Sequence, residues 1–218
     1  MPDSGWTPMA LAADLPPATS AGTALEGAEI VVWRDASGRV HAWEDRCPHR
    51  GMKLSFGFVR GDRIACLYHG WEYDGAGICR YIPAHPELEV PASICVPAHA
   101  AAEAGGMVWV APAGSDPAGL PDAEVTPLRS LFVEVGLEAL VAALAGGLPG
   151  AGAVEAVRRN GALIEMVQGG TALRIGLHPV GPGASALHIC VAGAVAEARL
   201  VELAVASEAL RRLAEGVR

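Results

Sequence analysis

The 218 residues carry a net charge of −8, with 51% hydrophobic and 18% charged side chains. That balance excludes a disordered chain and supplies apolar surface for one large core or two small ones. No basic stripe interleaved with aromatics is present, so a nucleic-acid role is not expected; the acidic balance would suit a basic patch on a protein partner. No apolar run approaches the ~20 residues of a membrane span. The N-terminal stretch "MPDSGWTPMALAADLPP" lacks the basic and apolar regions of a signal peptide, and no twin-arginine signal occurs, so a soluble cytoplasmic protein is expected.

The first half reads as an all-β domain. "EIVVWRDASGRVHAWED" is two strand-like runs around the turn residues Asp35 to Gly38. Further short runs follow at "DRIACLYH", "GICRYI", "SICVPAH" and "GMVWVAP", each bounded by Gly, Pro or Asp, a spacing that predicts a small antiparallel barrel or sandwich. The stretch from Ala111 to Pro127, rich in Pro, Gly, Ala and acid, is expected to be a linker. The domains so defined are 1–111, a linker over 112–127, and 128–218.

Beyond the linker, "LRSLFVEV" reads as a strand and "GLEALVAALAGG" as a helix presenting Leu137, Leu140, Val141 and Leu144 before a Gly-Gly stop. "ALIEMV", "ALRIGLHPV" and "ALHICVAGAV" predict a three-stranded meander. The chain closes on a helix whose apolar stripe is Leu200, Leu203, Leu210, Leu213 and Val217. The second domain is therefore expected to be a small α+β unit, β-α-β-β-β-α. No internal repeat is visible.

The chemistry concentrates between Arg46 and Trp71. Cys47-Pro48-His49 is followed, after sixteen intervening residues, by Cys66-Leu67-Tyr68-His69. The five cysteines (Cys47, Cys66, Cys79, Cys95, Cys190) are odd in number and unevenly spaced, so metal ligation explains two of them better than a disulfide framework does. One thiolate and one imidazole per loop is what a binuclear centre with two unequal irons needs. Gly51 and Gly70 leave room for backbone N–H groups to point at sulfur. A zinc site would accept the same four side chains, but a Cys-x-His gap is not zinc-finger spacing. Buried cysteines and satisfied histidines are the purely structural alternative.

"CPHRGMKLSFGFVRGDRIACLYHGWEYDGAGIC" resembles the Rieske [2Fe–2S] motif, Cys-x-His followed by Cys-x-x-His. It is most similar to the version in Rieske non-haem iron oxygenases of the aromatic-ring hydroxylase and O-demethylase type. The likeness runs from about Trp6 to Ala111. It implies an all-β Rieske domain with a cluster-binding subdomain, and one [2Fe–2S] cluster per chain. Cys47 and Cys66 would bind the inner iron, and His49 and His69 the outer one. High-potential relatives carry a disulfide between the loops and a serine hydroxyl near a bridging sulfide. Met52, Tyr68 and Trp71 stand at those positions here and supply neither, while Tyr73 matches a second hydroxyl. Fewer donors to sulfur imply a potential at the low end of the Rieske range, about −150 to 0 mV. Tyr68 and Trp71 are expected to cover the cluster, with stacking on a docking partner as the alternative; for Arg50, an internal salt bridge and stabilisation of the reduced cluster both stay open.

The same resemblance implies a catalytic domain with a two-His-one-carboxylate iron site, and its Asp-x-x-His-x-x-x-x-His signature is missing beyond Ala111. The second domain is therefore expected to be a shortened catalytic domain. One set of residues could still bind metal: a five-residue hairpin loop at "GPGAS" would pair Val180 with Ala186, set His178 opposite His188, and bring Glu165 alongside. His41, His85, His99, Cys79, Cys95 and Cys190 are expected to be structural. The expected function is a Rieske electron-transfer protein, passing single electrons from a reductase to an oxygenase-type acceptor; oxygenase activity of its own is not expected without a mononuclear iron site, and whether the chain is an enzyme stays open. The alternative is a minimal Rieske oxygenase with an unconventional or partner-supplied mononuclear iron. The second domain would serve docking or homo-oligomer formation.

Overall fold

The computed structural model describes residues 5–216. In chain order its first strands are β1 (Thr7–Leu11), β2 (Thr19–Leu25), β3 (Ala28–Arg34), β4 (Val40–Glu44), β5 (Phe58–Arg60), β6 (Arg63–Ala65), β7 (Glu72–Asp74) and β8 (Cys79–Tyr81). Then come β9 (Ala98–Ala104), β10 (Met107–Ala111), β11 (Val125–Val133), helix α1 (Leu137–Leu144), β12 (Val154–Asn160), β13 (Leu163–Gln168), β14 (Thr171–Gly181), β15 (Ala184–Ala192) and helix α2 (Glu197–Ala214). Two compact units form, and they do not follow chain order. One holds Asp14–Ala102 and Val110–Asp116; the other holds the stretch through Ala13, Glu103–Trp109 and everything from Pro117 on.

The first of these is all-β. β2, β3 and β4 form a meander, and β9 pairs with the far side of β4. The β3–β4 turn is the one read from "DASG": the Asp35 carboxylate accepts from the Ser37 amide (2.9 Å), the Ser37 hydroxyl (2.6 Å) and the Arg39 amide (3.0 Å). Asp35 also meets His41 Nε2 at 3.1 Å, and the His41 ring stacks on Trp33. Inward-facing Val31, Trp33 and Trp43 build a core that continues into a second, four-stranded sheet, β5-β6-β7-β8. Burying side chains of that size contributes on the order of 2–3 kcal/mol each. The predicted strand at "SICVPAH" is not formed beyond a single Ile78–Cys95 bridge; Pro91 and Pro97 remove two backbone donors, and pairing resumes at Ala98.

The second unit is α+β. Its sheet, in the order β11-β15-β14-β13-β12, is antiparallel throughout, and β13, β14 and β15 form the expected meander. It has one strand more than the sequence suggests, since β12 precedes the meander. β12 is an edge strand, exposed along nearly its whole length, so its sequence "VEAVRRN" carries no alternation to detect. Leu173, Ile175 and Leu177 of β14 and Leu187, Ile189 and Val191 of β15 face both helices. α1 buries Leu140 and Leu144 and stops at Gly147, which adopts φ +77° and donates to the Leu144 carbonyl. α2 buries Leu203, Ala206 and Leu210, while Leu213, in its last turn, is exposed. Val217 lies outside the described residues. No helix among the described residues is long and apolar enough to cross a membrane.

Candidate metal centre

Two loops with the same hydrogen-bond pattern present the candidate ligands. In the loop after β4, the Cys47 amide donates to the Met52 carbonyl and the Gly51 amide donates back to the Cys47 carbonyl, both at 2.8 Å. In the loop after β6, the Cys66 amide donates to the Trp71 carbonyl and the Gly70 amide to the Cys66 carbonyl, both at 2.9 Å. Each glycine stands four residues after its cysteine, with φ of +73° and +69°. This left-handed conformation is one that side-chain-bearing residues rarely adopt. At Gly70 a Cβ would also meet the Pro83 ring at 3.0 Å. The difference in spacing, Cys-x-His against Cys-x-x-His, is absorbed inside an otherwise repeated loop.

The four side chains fall into two pairs. Cys47 and Cys66 are buried side by side in the β-domain core, and both are free thiols. Burial raises the Cys66 thiol above its ordinary range, and the neighbouring Cys47 adds to it. The His49 and His69 rings lie 4.6 Å apart. Partial burial, with His69 and Arg50 nearby, lowers the His49 pKa and favours the neutral imidazole that can ligate a metal. No three His, Cys, Asp or Glu among the described residues converge on one ion position. A single tetrahedral zinc needs such convergence, whereas a binuclear cluster needs two separated pairs. Two thiols inside and two imidazoles at the rim fit a [2Fe–2S] group.

The Tyr73 hydroxyl reaches Cys47 Sγ at 3.1 Å. Burial, and then the adjoining Cys47, Cys79 and Cys66, push the phenol pKa far up, so the hydroxyl stays protonated and can donate to a thiolate. Trp71 stacks on His49 at 4.2 Å, nearly parallel, and covers that ring. Tyr68 tilts against His69 at 3.9 Å but stays 56% exposed, so of the two aromatics Trp71 is the packed one. Arg50 is exposed and makes no ion pair among the described residues.

Two supporting groups escaped the sequence reading. Asp45 accepts from the Ser55 amide at 2.7 Å and from its hydroxyl at 2.6 Å, tying down the chain beyond the first loop. The thiol of Cys79 is buried in the same core cluster as Cys47, Cys66 and Tyr73. Neither carries a spacing signal.

The second candidate set is not assembled. Gly181 pairs with Ala184, so the β14–β15 hairpin turns on Pro182 and Gly183 alone, with an irregularity between Pro179 and Gly181. His178 therefore sits opposite Ala186 and His188 opposite Gly176. The imidazoles still meet diagonally on one buried face, with Nδ1 of His178 3.3 Å from Nε2 of His188. His188 Nδ1 in turn lies 2.9 Å from the Ser130 hydroxyl. Glu165 pairs in register with Arg174, four residues along β14 from His178, and its carboxylate meets the Arg174 guanidinium at 3.5 Å. The shorter turn shifts the β14–β15 register by two residues, which keeps both histidines on one face, while the β13–β14 pairing sets Glu165 opposite Arg174.

Buried paired cysteines beneath two rim imidazoles define an iron–sulfur protein. Residues 5–93 match the Rieske [2Fe–2S] domain. It is 37% identical over 148 residues to the oxidoreductase NdmD of Pseudomonas putida, covering 64% of this chain and 25% of that one. It is 42% identical over 110 residues to the 4beta-methylsterol monooxygenase of Methylococcus capsulatus, covering 48% and 28%. The chain thus spans about a quarter of these relatives' lengths. The solved structure of Pseudomonas putida CBB5 NdmA superposes with a TM-score of 0.74 at 18% identity, over 98% of this chain and 81% of that one, a likeness of fold.

Proposed function

We propose that the chain is a one-electron carrier, accepting electrons from a reductase and delivering them to an oxygenase-type acceptor, with Cys47, Cys66, His49 and His69 holding one [2Fe–2S] cluster. When bound, that group supplies a one-electron couple. The observation that carries this reading is the pair of like-built loops that bury two thiols together and set two imidazoles 4.6 Å apart at the rim. Cys47 and Cys66 would bind as thiolates, Tyr73 would donate to Cys47, and Trp71 would keep water from His49. His49 and His69 would form the edge through which electrons enter and leave. The oxygenase alternative needs a further iron site; of the one combination the sequence offered, His178 and His188 meet, but Glu165 pairs with Arg174 instead.

No disulfide joins any of the cysteines among the described residues, which suits a reducing cytoplasm. The C-terminal unit is proposed to pair with a second copy, since α2 leaves Val201 and Val205 exposed. The deciding experiment is iron and sulfide analysis of anaerobically purified protein with EPR of the dithionite-reduced form. Two irons and two sulfides per chain with a Rieske-type signal are expected. A third iron, or zinc without sulfide, overturns the proposal.

A further inference from the structure

The charge of this chain is unevenly spread. Residues 46–80 hold six of its sixteen basic residues and only three of its twenty-four acidic ones, in a protein of net charge −8. Four of those six cations are engaged: Lys53 with Glu29, Arg60 and Arg63 with Glu72, and Arg80 with Asp74. The other two, Arg46 and Arg50, are exposed, and neither has a carboxylate in ion-pair range among the described residues. Both flank the first candidate ligand loop. Arg50 directly follows His49 and acts on it electrostatically, and the Arg46 guanidinium lies against Gly51. Residues 46–53 and 66–71 contain no acidic residue, and Asp45, which precedes Arg46, is buried and bonded to Ser55.

Beside these charges the surface is apolar. Tyr68 and Leu67, on the second loop, are 56% and 49% exposed; Phe58, which pairs with Ala65 next to Cys66, is 53% exposed. Exposed apolar side chains of this size, grouped beside unpaired cations, have the make-up of an interface with an apolar centre and a charged rim. Two thiolates and two neutral imidazoles leave a [2Fe–2S] group uncharged when oxidised and singly negative when reduced, so its own charge cannot cancel both arginines.

We propose that the edge carrying His49 and His69 docks an acidic electron-transfer protein, with carboxylates around an apolar patch, and that Arg46 and Arg50 steer and orient it. The proposal rests on the electron-carrier reading and deepens it. It also reverses the sign suggested by net charge: the chain is acidic, but its docking edge is cationic. Steering of this kind raises association rates by about 10- to 1,000-fold at low salt and fades as the Debye length shrinks.

Two measurements on the cluster-loaded full chain test it. The first needs no electron transfer: anisotropy of a fluorescein-labelled poly-glutamate peptide, with poly-lysine for comparison. Poly-glutamate is expected to bind, to weaken about tenfold as salt rises from ~20 to ~200 mM, and to weaken comparably in Arg46→Glu/Arg50→Glu. The second is stopped-flow oxidation of the reduced protein, in which ferricyanide takes one electron and becomes ferrocyanide, compared with hexaammineruthenium(III) becoming hexaammineruthenium(II). Rates are corrected for driving force with the measured midpoint potential. The ferricyanide rate is expected to fall with salt and to drop about tenfold in the double variant, while the hexaammineruthenium rate rises with salt.

Flat or inverted salt slopes in the unmodified protein, or poly-lysine binding in preference to poly-glutamate, overturn the proposal, and these readings need no variant to fold. Absence of a reversible one-electron signal sinks the carrier reading instead, while the peptide measurement still reads the surface.

Discussion

The Tyr73 hydroxyl and the Cys47 sulfur lie 3.1 Å apart inside the β-domain core. A phenol that donates to a thiolate ligand stabilises the more negative, reduced state more than the oxidised one. Removing that donor should make reduction harder. Tyr73→Phe, loaded with cluster, is expected to shift the midpoint potential down by roughly 40 mV, the equivalent of about 1 kcal/mol for one electron. Protein-film voltammetry measures it, and an unchanged or raised potential would show that the contact does not reach the redox centre.

Gly51 and Gly70 stand at corresponding positions of the two loops, both with positive φ. Gly51→Ala strains the backbone alone, because only the flexible end of Arg46 lies near the added methyl. Gly70→Ala adds a contact with the Pro83 ring. Gly51→Ala is expected to cost about 1 kcal/mol and Gly70→Ala more, with bound iron falling in the same order. Thermal unfolding and iron content read out both variants; equal tolerance at the two sites would contradict this account.

Burial by itself would raise the Asp35 pKa, but hydrogen bonds from Ser37, His41 and the Arg39 amide outweigh it and hold the carboxyl at about 2, below its ordinary 3.8. A folded-state pKa below the unfolded one means stability that is fully present above pH 3.8 and is lost as pH falls through about 2. Asp35→Asn should destabilise the protein by about 1–2 kcal/mol at neutral pH and flatten the acid limb of a denaturation-versus-pH series. An acid limb as steep as that of the parent would remove Asp35 from the explanation.

His188 gives a second, higher acid window. Burial first, and the adjoining His178 second, lower its pKa from 6.5 to about 3. The unfolded chain therefore binds a proton here that the folded chain refuses. The neutral ring's contribution is complete above pH 6.5 and declines as pH falls toward 3, with a slope of at most about 1.4 kcal/mol per pH unit for one proton. Urea denaturation between these limits should show this decline, and His188→Gln should reduce it. No reduction would assign the slope to other groups.

The candidate ligands were legible because their spacing is local. One Cys and one His within four residues, closed by a glycine, encode a loop that needs only its own backbone hydrogen bonds. The meander β13-β14-β15 was legible for a similar reason, its strands being continuous apolar runs between turns. β12 and β9 were not: an exposed edge strand and an alanine-rich strand have no alternating pattern, and only partners distant in sequence make them strands.

By itself, then, the sequence determined the four candidate donors, the glycine that follows each pair and the β character of the domain that presents them, since each depends on residue type at short range. Tertiary structure alone decided that Tyr73 faces Cys47, that Trp71 packs flat on His49 while Tyr68 tilts on His69 and stays exposed, and that Arg50 makes no ion pair among the described residues. It also decided that a two-residue turn at Pro182 and Gly183 sets His178 diagonal to His188, and that the β13–β14 register pairs Glu165 with Arg174. Those outcomes turn on strand register and on packing between residues far apart in the chain, where a shift of one or two positions exchanges one partner for another.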